Sequence, residues 1–209
     1  MLFRSKAPAL LDYNTQTRES IPTTELNPET LWARLSEDYG VPGFLIYSND
    51  LLGYFDDDDL RIPIFRRDPE PITRAYSNGN AVFRISFPEM YRTQAEMYAR
   101  KGMIDEAMDN INLIRKNRIV SSSYADVTAS SEEDAIALVL AERRRELAFQ
   151  GLRWMDMKRL DRENRMPAVV RKNLQTMEVE ATLEPHGEGY VFEIPARVLQ
   201  FNPQMQKNR

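Results

Sequence analysis

The chain has 209 residues, a formal net charge of −4 and no cysteine. Its length corresponds to one domain or slightly more, and a chain of this size buries enough apolar surface to fold without disulfides or a structural metal. The acidic balance excludes a protein that binds nucleic-acid phosphates. The absence of cysteine and the single histidine exclude thiolate catalysis, zinc–thiolate sites and histidine-cluster metal sites. We therefore expect no cofactor and no nucleic-acid partner.

Residues 1–43 are rich in proline, threonine and glutamate, which predicts a loop-rich lead-in. The first 11 residues lack an apolar stretch followed by a small-residue cleavage site, so no signal peptide is expected. One short helix is predicted within 27–40, because Asn27 and Pro28 suit the cap and the first helical position.

Three short elements are predicted next. A helix within 44–54 begins at a cap provided by Ser48 or Asn49. The segment Arg-Ile-Pro-Ile-Phe at 61–65 predicts an extended stretch, and the alternating residues at 81–86 predict a short strand.

The helical pattern is strongest from Pro88 onward. Apolar residues recur three and four apart over 88–102 and again over 104–118, and a turn at Gly102 separates the two helices. Two antiparallel helices within about 34 residues match a tetratricopeptide unit. Tyr98 is predicted to fill the gap between these helices and to lose nearly all of its exposed surface.

A third, long helical segment is predicted over 131–162, capped by Ser131 and with three acidic residues in its first turn. Residues 163–209 are predicted to be irregular, with extended segments near 177–183 and 190–194. The predicted fold class is therefore mostly α, with tetratricopeptide-like helix pairs and long irregular loops.

Three polar motifs each have two interpretations. The acidic run Asp56–Asp59 suggests calcium, but it lacks the ligand spacing of an EF-hand loop, so a capped and solvated turn is favoured. The run Glu-Arg-Arg-Arg-Glu at 142–146 suggests an anion site, yet a helix spreads its arginines over different faces, so internal ion pairs are favoured. His186 is interpreted as a surface-loop residue, because no Gly-x-Ser-x-Gly turn accompanies it.

Aromatic side chains are the candidate ligand site. Flat rings stack on the apolar C–H faces of sugars, while polar side chains set the orientation of the ligand. Core packing is the alternative, and it is preferred for Trp154, which lies among helical methionines. The candidates for ligand binding are the aromatic residues Trp32, Tyr39, Tyr47 and Tyr54.

Four segments add a more specific signal. They comprise a helix before an Asp-x-Arg turn, a late tetratricopeptide helix, the run from Leu140 to Arg159, and a C-terminus containing Ile-Pro and Asn-Pro, at residues 48–61, 83–102, 140–159 and 191–206. In this order they resemble the SusD/RagB family, and the resemblance extends from about residue 44 to residue 209.

The resemblance implies a surface lipoprotein of the Gram-negative outer membrane that binds a glycan or another nutrient. Family members cap a SusC-like TonB-dependent transporter, hand the ligand over to it and are not enzymes. By the same resemblance, five residues belong to the scaffold rather than to a site: Glu142, Arg144, Arg145, Glu146 and Trp154.

Full-length members of that family are more than twice as long and carry a lipobox cysteine. The resemblance covers their C-terminal half, so we expect this chain to be a fragment or a truncated form. Apolar surface that the other half normally covers would then favour a homodimer.

Two other functions stay open from the residues alone. A tetratricopeptide-type protein-interaction adaptor would use the same helix pairs for docking. A glycoside hydrolase would need two carboxylates at a fixed separation, and no spacing in the sequence singles out such a pair.

Overall fold

A computed structural model describes residues 8–23, 26–35, 45–65, 74–75, 82–173 and 176–208. Within these ranges it contains seven α-helices and six short β-strands. The helices are α1 (Asn49–Leu52), α2 (Arg61–Phe65), α3 (Phe87–Ala99), α4 (Ile104–Arg115), α5 (Glu132–Glu146), α6 (Arg153–Asp161) and α7 (Ala196–Phe201). The strands are β1 (Thr30–Leu35), β2 (Leu45–Ile46), β3 (Arg74–Ala75), β4 (Val82–Ser86), β5 (Val169–Lys172) and β6 (Val179–Leu183).

The chain divides into two compact units, Met1–Arg153 and Trp154–Arg209. The strands pair as three antiparallel two-stranded sheets, β1 with β4, β2 with β3, and β5 with β6. The first unit therefore holds α1 to α5 and two of the sheets, while the hairpin of β5 and β6 lies in the second unit.

Three helices, α3, α4 and α5, form the core of the first unit. The hydroxyls of Ser86 and Ser131 cap α3 and α5 by accepting from the backbone N–H groups of Glu89 and Asp134. The alanines of the buried cluster let the helix backbones approach closely, and its larger side chains fill the remaining space. That cluster consists of Ala95, Ala99, Ala107, Met108, Ile111, Ala135, Ile136 and Val139.

The segment before β1 is attached to the end of α4. The backbone N–H of Tyr13 donates to the carbonyl of Asn117 at 3.0 Å. Tyr13 also packs with Ile21 and Ile64 in a smaller buried cluster. Because Ile64 belongs to α2, this cluster joins the lead-in to α2 by apolar contact.

The sequence predictions for 27–40 and 61–65 are wrong in the described residues. Thr30–Leu35 form β1, because pairing with β4 supplies backbone hydrogen bonds that outweigh a weak local helix signal. Arg61–Phe65 form the helix α2 instead of an extended stretch. Proline is tolerated there because it lies in the first turn, where a helix leaves backbone N–H groups unpaired.

The mostly α fold class is confirmed. The helices predicted at 88–102, at 104–118 and after Ser131 are α3, α4 and α5, and Ser48 caps the predicted helix α1. The prediction that Tyr98 loses nearly all of its exposed surface is wrong. Tyr98 lies partly buried against the edge of the main cluster, where the side-chain amide of Gln94 donates to its hydroxyl at 3.3 Å.

The second unit is more ordered than the sequence predicts. The extended segment expected near 177–183 is β6, whereas 190–194 forms no strand. A short 3-10 turn at Glu188–Tyr190 and the helix α7 occupy this region. No helix in the described part of the chain combines the length and apolar character needed to cross a membrane.

The packing of α4 gives the first prediction. Ile111 is buried in the main cluster, and Leu113 on the same helix is exposed. Ile111→Ala should lower the free energy of unfolding by ~2–5 kcal/mol, because it removes methylene groups and leaves a cavity. Leu113→Ala should change it by under about 1 kcal/mol. Urea denaturation measures both values, and equal losses would mean that the assigned face of α4 is wrong.

Candidate functional site

Trp32 is more exposed than Tyr47 and Tyr54, the other described candidates for ligand binding. It lies in β1 directly opposite Ile85 of β4, and the two side chains are 54% and 45% exposed. Residues directly opposite each other in an antiparallel pair project from the same face of the sheet. Trp32 and Ile85 therefore form an exposed apolar pair that includes an indole ring.

The remaining candidates for ligand binding are Tyr54, Tyr47 and Tyr39. Tyr54 follows α1 and is half-buried. Tyr47 is only 6% exposed, because its ring packs edge-on against Phe149 with centroids 4.8 Å apart and against Phe55 at 6.3 Å. Tyr47 therefore offers no open face to a ligand and stabilises the packing beside α1. Tyr39 lies outside the described residues.

Six buried charged side chains of the first unit form one connected group. We call it the buried ion cluster, and it consists of Glu29, Asp59, Arg61, Arg118, Glu142 and Glu146. Glu142 and Glu146 are four residues apart on α5 and so project from the same face of that helix. The other four members come from three further places: Glu29 before β1, Asp59 and Arg61 at the start of α2, and Arg118 after α4.

Arg61 joins α2 to α5. Its Nε and Nη2 donate to the two carboxylate oxygens of Asp59 at 2.9 and 2.7 Å. Its Nη1 donates to Glu142 at 2.6 Å and to Glu146 at 2.9 Å. Such forked, charge-assisted contacts are among the strongest hydrogen bonds in proteins.

Arg118, which follows α4, joins the lead-in to α5. Its Nη2 donates to both oxygens of Glu29 at 2.9 Å and to Glu146 at 3.1 Å. Its Nη1 donates to the carbonyl of Leu11 at 2.7 Å. The guanidinium also lies 4.0 Å from the ring centroid of Tyr13, a cation–π contact that covers its remaining face.

The cluster shifts the ionisation of its members. Burial opposes the charged form of Glu142, but the guanidinium charges of Arg61 and Arg145 outweigh it and lower the pKa of Glu142 to about 2. Burial likewise opposes the charged form of Arg61, yet Glu142 and Asp59 raise its pKa above the ordinary value. Glu142 and Arg61 are therefore both charged at neutral pH, and their attraction holds α2 against α5.

The cluster positions the two candidate ligand residues through the backbone. The carbonyl of Glu29 accepts from the N–H of Phe87 at 2.9 Å, which fixes the start of β1, the strand that carries Trp32, against the start of α3. Arg145 pairs with Glu142 at 3.1 Å and also donates to the carbonyl of Tyr54. A rigid buried network thus supports surface residues at both places.

The polar motifs now have structural assignments. Asp59 is buried against Arg61 instead of solvated, and the hydroxyl of Ser123 donates to Asp58 at 2.7 Å. The internal ion pairs predicted for 142–146 are confirmed by the contact between Glu142 and Arg145. No group of three or more His, Asp or Glu side chains among the described residues is arranged to hold a metal ion.

His186 is more than half exposed, as expected for a loop residue. Its backbone N–H donates to the carboxylate of Asp161 at 2.8 Å, and its Nδ1 lies 3.4 Å from the same carboxylate. The backbone at His186 has a positive φ of 57°, so these contacts hold a strained turn in place. The structure gives His186 a role in shaping the loop.

Most of the buried ion cluster was not found from the sequence. The run Glu-Arg-Arg-Arg-Glu at 142–146 indicated internal ion pairs, but the partners Arg61 and Arg118 lie far away in the chain. Glu29 and Asp59 carried no signal beyond their charge. Only the fold brings these side chains together.

Arg92 contrasts with the two arginines of the cluster. It is completely buried on α3, and none of its three nitrogens has a hydrogen-bond partner among the described residues. Its ion pair with Glu146 is long, with Nη1 4.0 Å from the carboxylate oxygen. Burial lowers the pKa of Arg92 well below its ordinary value, since the surrounding charges compensate for it only in part.

Comparison with known proteins identifies a family. The family model described as SusD matches residues 61–209. A crystal structure of a SusD superfamily protein from Bacteroides vulgatus ATCC 8482 is similar in fold, with a TM-score of 0.64 and 20% sequence identity. The match covers 98% of this chain and 51% of that one, so the chain spans about half the length of its structural relative. No curated protein matches.

The lowered pKa of Glu142 predicts how stability depends on pH. A carboxyl group whose pKa falls from 4.5 to about 2 on folding stabilises the protein above the unfolded value, and this stabilisation is lost as the pH falls from about 4.5 to about 2. Glu142→Gln should be less stable than the wild type by roughly 3 kcal/mol at pH 7, and the difference should shrink across that window.

Urea denaturation at a series of pH values measures this dependence. Asp50→Asn is the control, because Asp50 pairs with Arg144 at the surface, where an ion pair contributes little. A constant difference between wild type and Glu142→Gln from pH 7 to pH 2 would contradict the assignment.

Two of the buried arginines, Arg118 and Arg92, should respond differently to the same substitution by methionine. Arg118→Met should lower the free energy of unfolding by ~3–5 kcal/mol, because it leaves Glu29 without its ion-pair partner. Arg92→Met should leave stability unchanged or raise it by about 1 kcal/mol, because a poorly compensated buried charge is replaced by an apolar side chain of similar length. Chemical denaturation of the wild type and both variants measures these free energies of unfolding. A large loss at position 92 would show that Arg92 has a compensating partner.

Proposed function

The chain belongs to the SusD family, and on that premise we propose that it is the non-catalytic, nutrient-binding component of a TonB-dependent uptake complex at the outer membrane. Proteins of this family are generally binding proteins that work with SusC-like transporters. The observation that carries the proposal is the family match over residues 61–209. The nutrient we propose is a glycan, and the proposed transporter partner is of the SusC type.

The surface around Trp32 supports a glycan as the ligand. An indole ring that is 54% exposed on a strand presents a flat face to solvent. Ile85, directly opposite Trp32 on β4, is apolar and exposed, so it extends the surface that could cover the C–H face of a pyranose. We assign Trp32 as the primary stacking residue and Tyr54 as a secondary contact.

Binding of this kind needs no chemical step. Stacking removes apolar sugar surface from water, and the rigid backbone under β1 limits the entropy lost when the ligand is ordered. The bound glycan keeps its covalent structure and remains available for transfer to the transporter. In this scheme the buried ion cluster contributes positioning alone, because its side chains are inaccessible to a ligand.

The test of this function is saccharide binding by the wild type and by Trp32→Ala. We expect a glycan array to detect a saccharide, and calorimetry to show at least tenfold weaker binding by Trp32→Ala, equivalent to about 1.4 kcal/mol. Leu26→Ala is the matched control, since Leu26 is an exposed apolar residue of the same unit. It should bind as the wild type does.

Two outcomes would contradict the proposal. Binding of peptides without binding of saccharides would favour a tetratricopeptide-type adaptor, for which the α3–α4 pair is suited. Turnover of a bound oligosaccharide would contradict a non-catalytic role.

A further inference from the structure

A stack of three aromatic rings in the second unit reaches the surface. The ring centroid of Trp154 lies 5.9 Å from that of Tyr190 and 5.0 Å from that of Phe192, with interplanar angles of 27° and 31°. Tyr190 is buried, Trp154 is half-buried and Phe192 is 70% exposed. The exposure of the rings therefore increases from Tyr190 to Phe192.

Asn208 holds the backbone that directly follows this exposed ring. The side-chain amide of Asn208 donates to the carbonyl of Phe192 at 2.8 Å, and its oxygen accepts from the N–H of Ile194 at 2.9 Å. A ring that is supported by an indole and held at its backbone loses little conformational freedom when a ligand stacks on it. Such a preorganised ring differs from an apolar side chain that is merely exposed.

Phe201 on α7 is an exposed phenylalanine without a supporting ring from the described part of the chain. It is 72% exposed, nearly the same as Phe192, but no aromatic ring of the described residues packs beneath it. The two phenylalanines thus share residue type, unit and exposure, and they differ in their support.

We propose that Phe192, supported by Trp154, is a second saccharide-stacking site, which takes the C–H face of one neutral pyranose. This inference rests on the proposed function for the class of ligand, but it uses residues separate from Trp32. One ring matches the area of one sugar unit, whereas a specific protein partner generally needs about 800 Å² on each side. The stacked side chains carry no charge, which favours a neutral sugar over an anionic one.

The two tryptophans of the chain allow the two sites to be observed separately. Trp32→Phe leaves Trp154 as the sole indole, so its fluorescence reports on the Phe192 site. The probes are maltohexaose, cellohexaose and mannohexaose. We expect at least one of them to shift the emission of Trp154 in a saturable manner. Adding Phe192→Ala should weaken that response at least tenfold, and adding Phe201→Ala should change it less than twofold.

The outcomes separate this inference from the proposed function. If none of the three hexasaccharides shifts the emission of Trp154 while the Trp32 site still binds saccharides, the second site is refuted and the proposed function stands. Equal effects of Phe192→Ala and Phe201→Ala would also refute it. Self-association that disappears in Phe192→Ala, without any response to saccharide, would assign this ring to a protein contact instead. A response at Trp154 without binding at Trp32 would support the second site and refute the assignment of Trp32.

Discussion

Two buried carboxylates on one face of α5 determine which charged side chains of the first unit must lie against that helix. Glu142 and Glu146 are removed from water, and an isolated charge in that position costs several kcal/mol. Their charges are compensated only when Arg61 and Arg118 reach them from α2 and from the end of α4. Arg118 in turn needs Glu29, so the segment before β1 must lie against the same helices. Electrostatic pairing thus links elements that the apolar core alone does not connect.

This arrangement explains which parts of the fold could be predicted from the sequence. The helices α3, α4 and α5 follow from apolar residues three and four apart and from the serine caps, which are local signals. β1 was missed because its stability comes from pairing with β4, about fifty residues later in the chain. α2 was not predicted because a nonlocal buried network fixes its first turn. In that network the carboxylate of Asp59 accepts a hydrogen bond from the backbone N–H of Arg61 at 3.0 Å. Nonlocal contacts determine both elements.

The candidate site shows the same division between local and nonlocal information. Residue type identified Trp32 and Tyr47 equally, because both rings are able to stack on a sugar. Their environments differ only in the fold, where Phe55 and Phe149 cover Tyr47 and the β1–β4 sheet leaves Trp32 open. Composition therefore suggested the chemistry of the site, and burial decides which ring is available for it.

An ordered backbone supports each of the two exposed rings, Trp32 and Phe192. An exposed aromatic side chain forgoes part of the stabilisation that burial would give, about 25 cal/mol for each Å² of apolar surface. Such a ring binds well when the backbone beneath it is already ordered, because less entropy is then lost on binding. In the first unit, the contact between Glu29 and Phe87 orders the start of the strand that carries Trp32. In the second unit, Asn208 and Trp154 do the same for Phe192 through hydrogen bonds and stacking. Different interactions thus produce the same physical condition, an exposed ring on a fixed support, in two separate units of the chain.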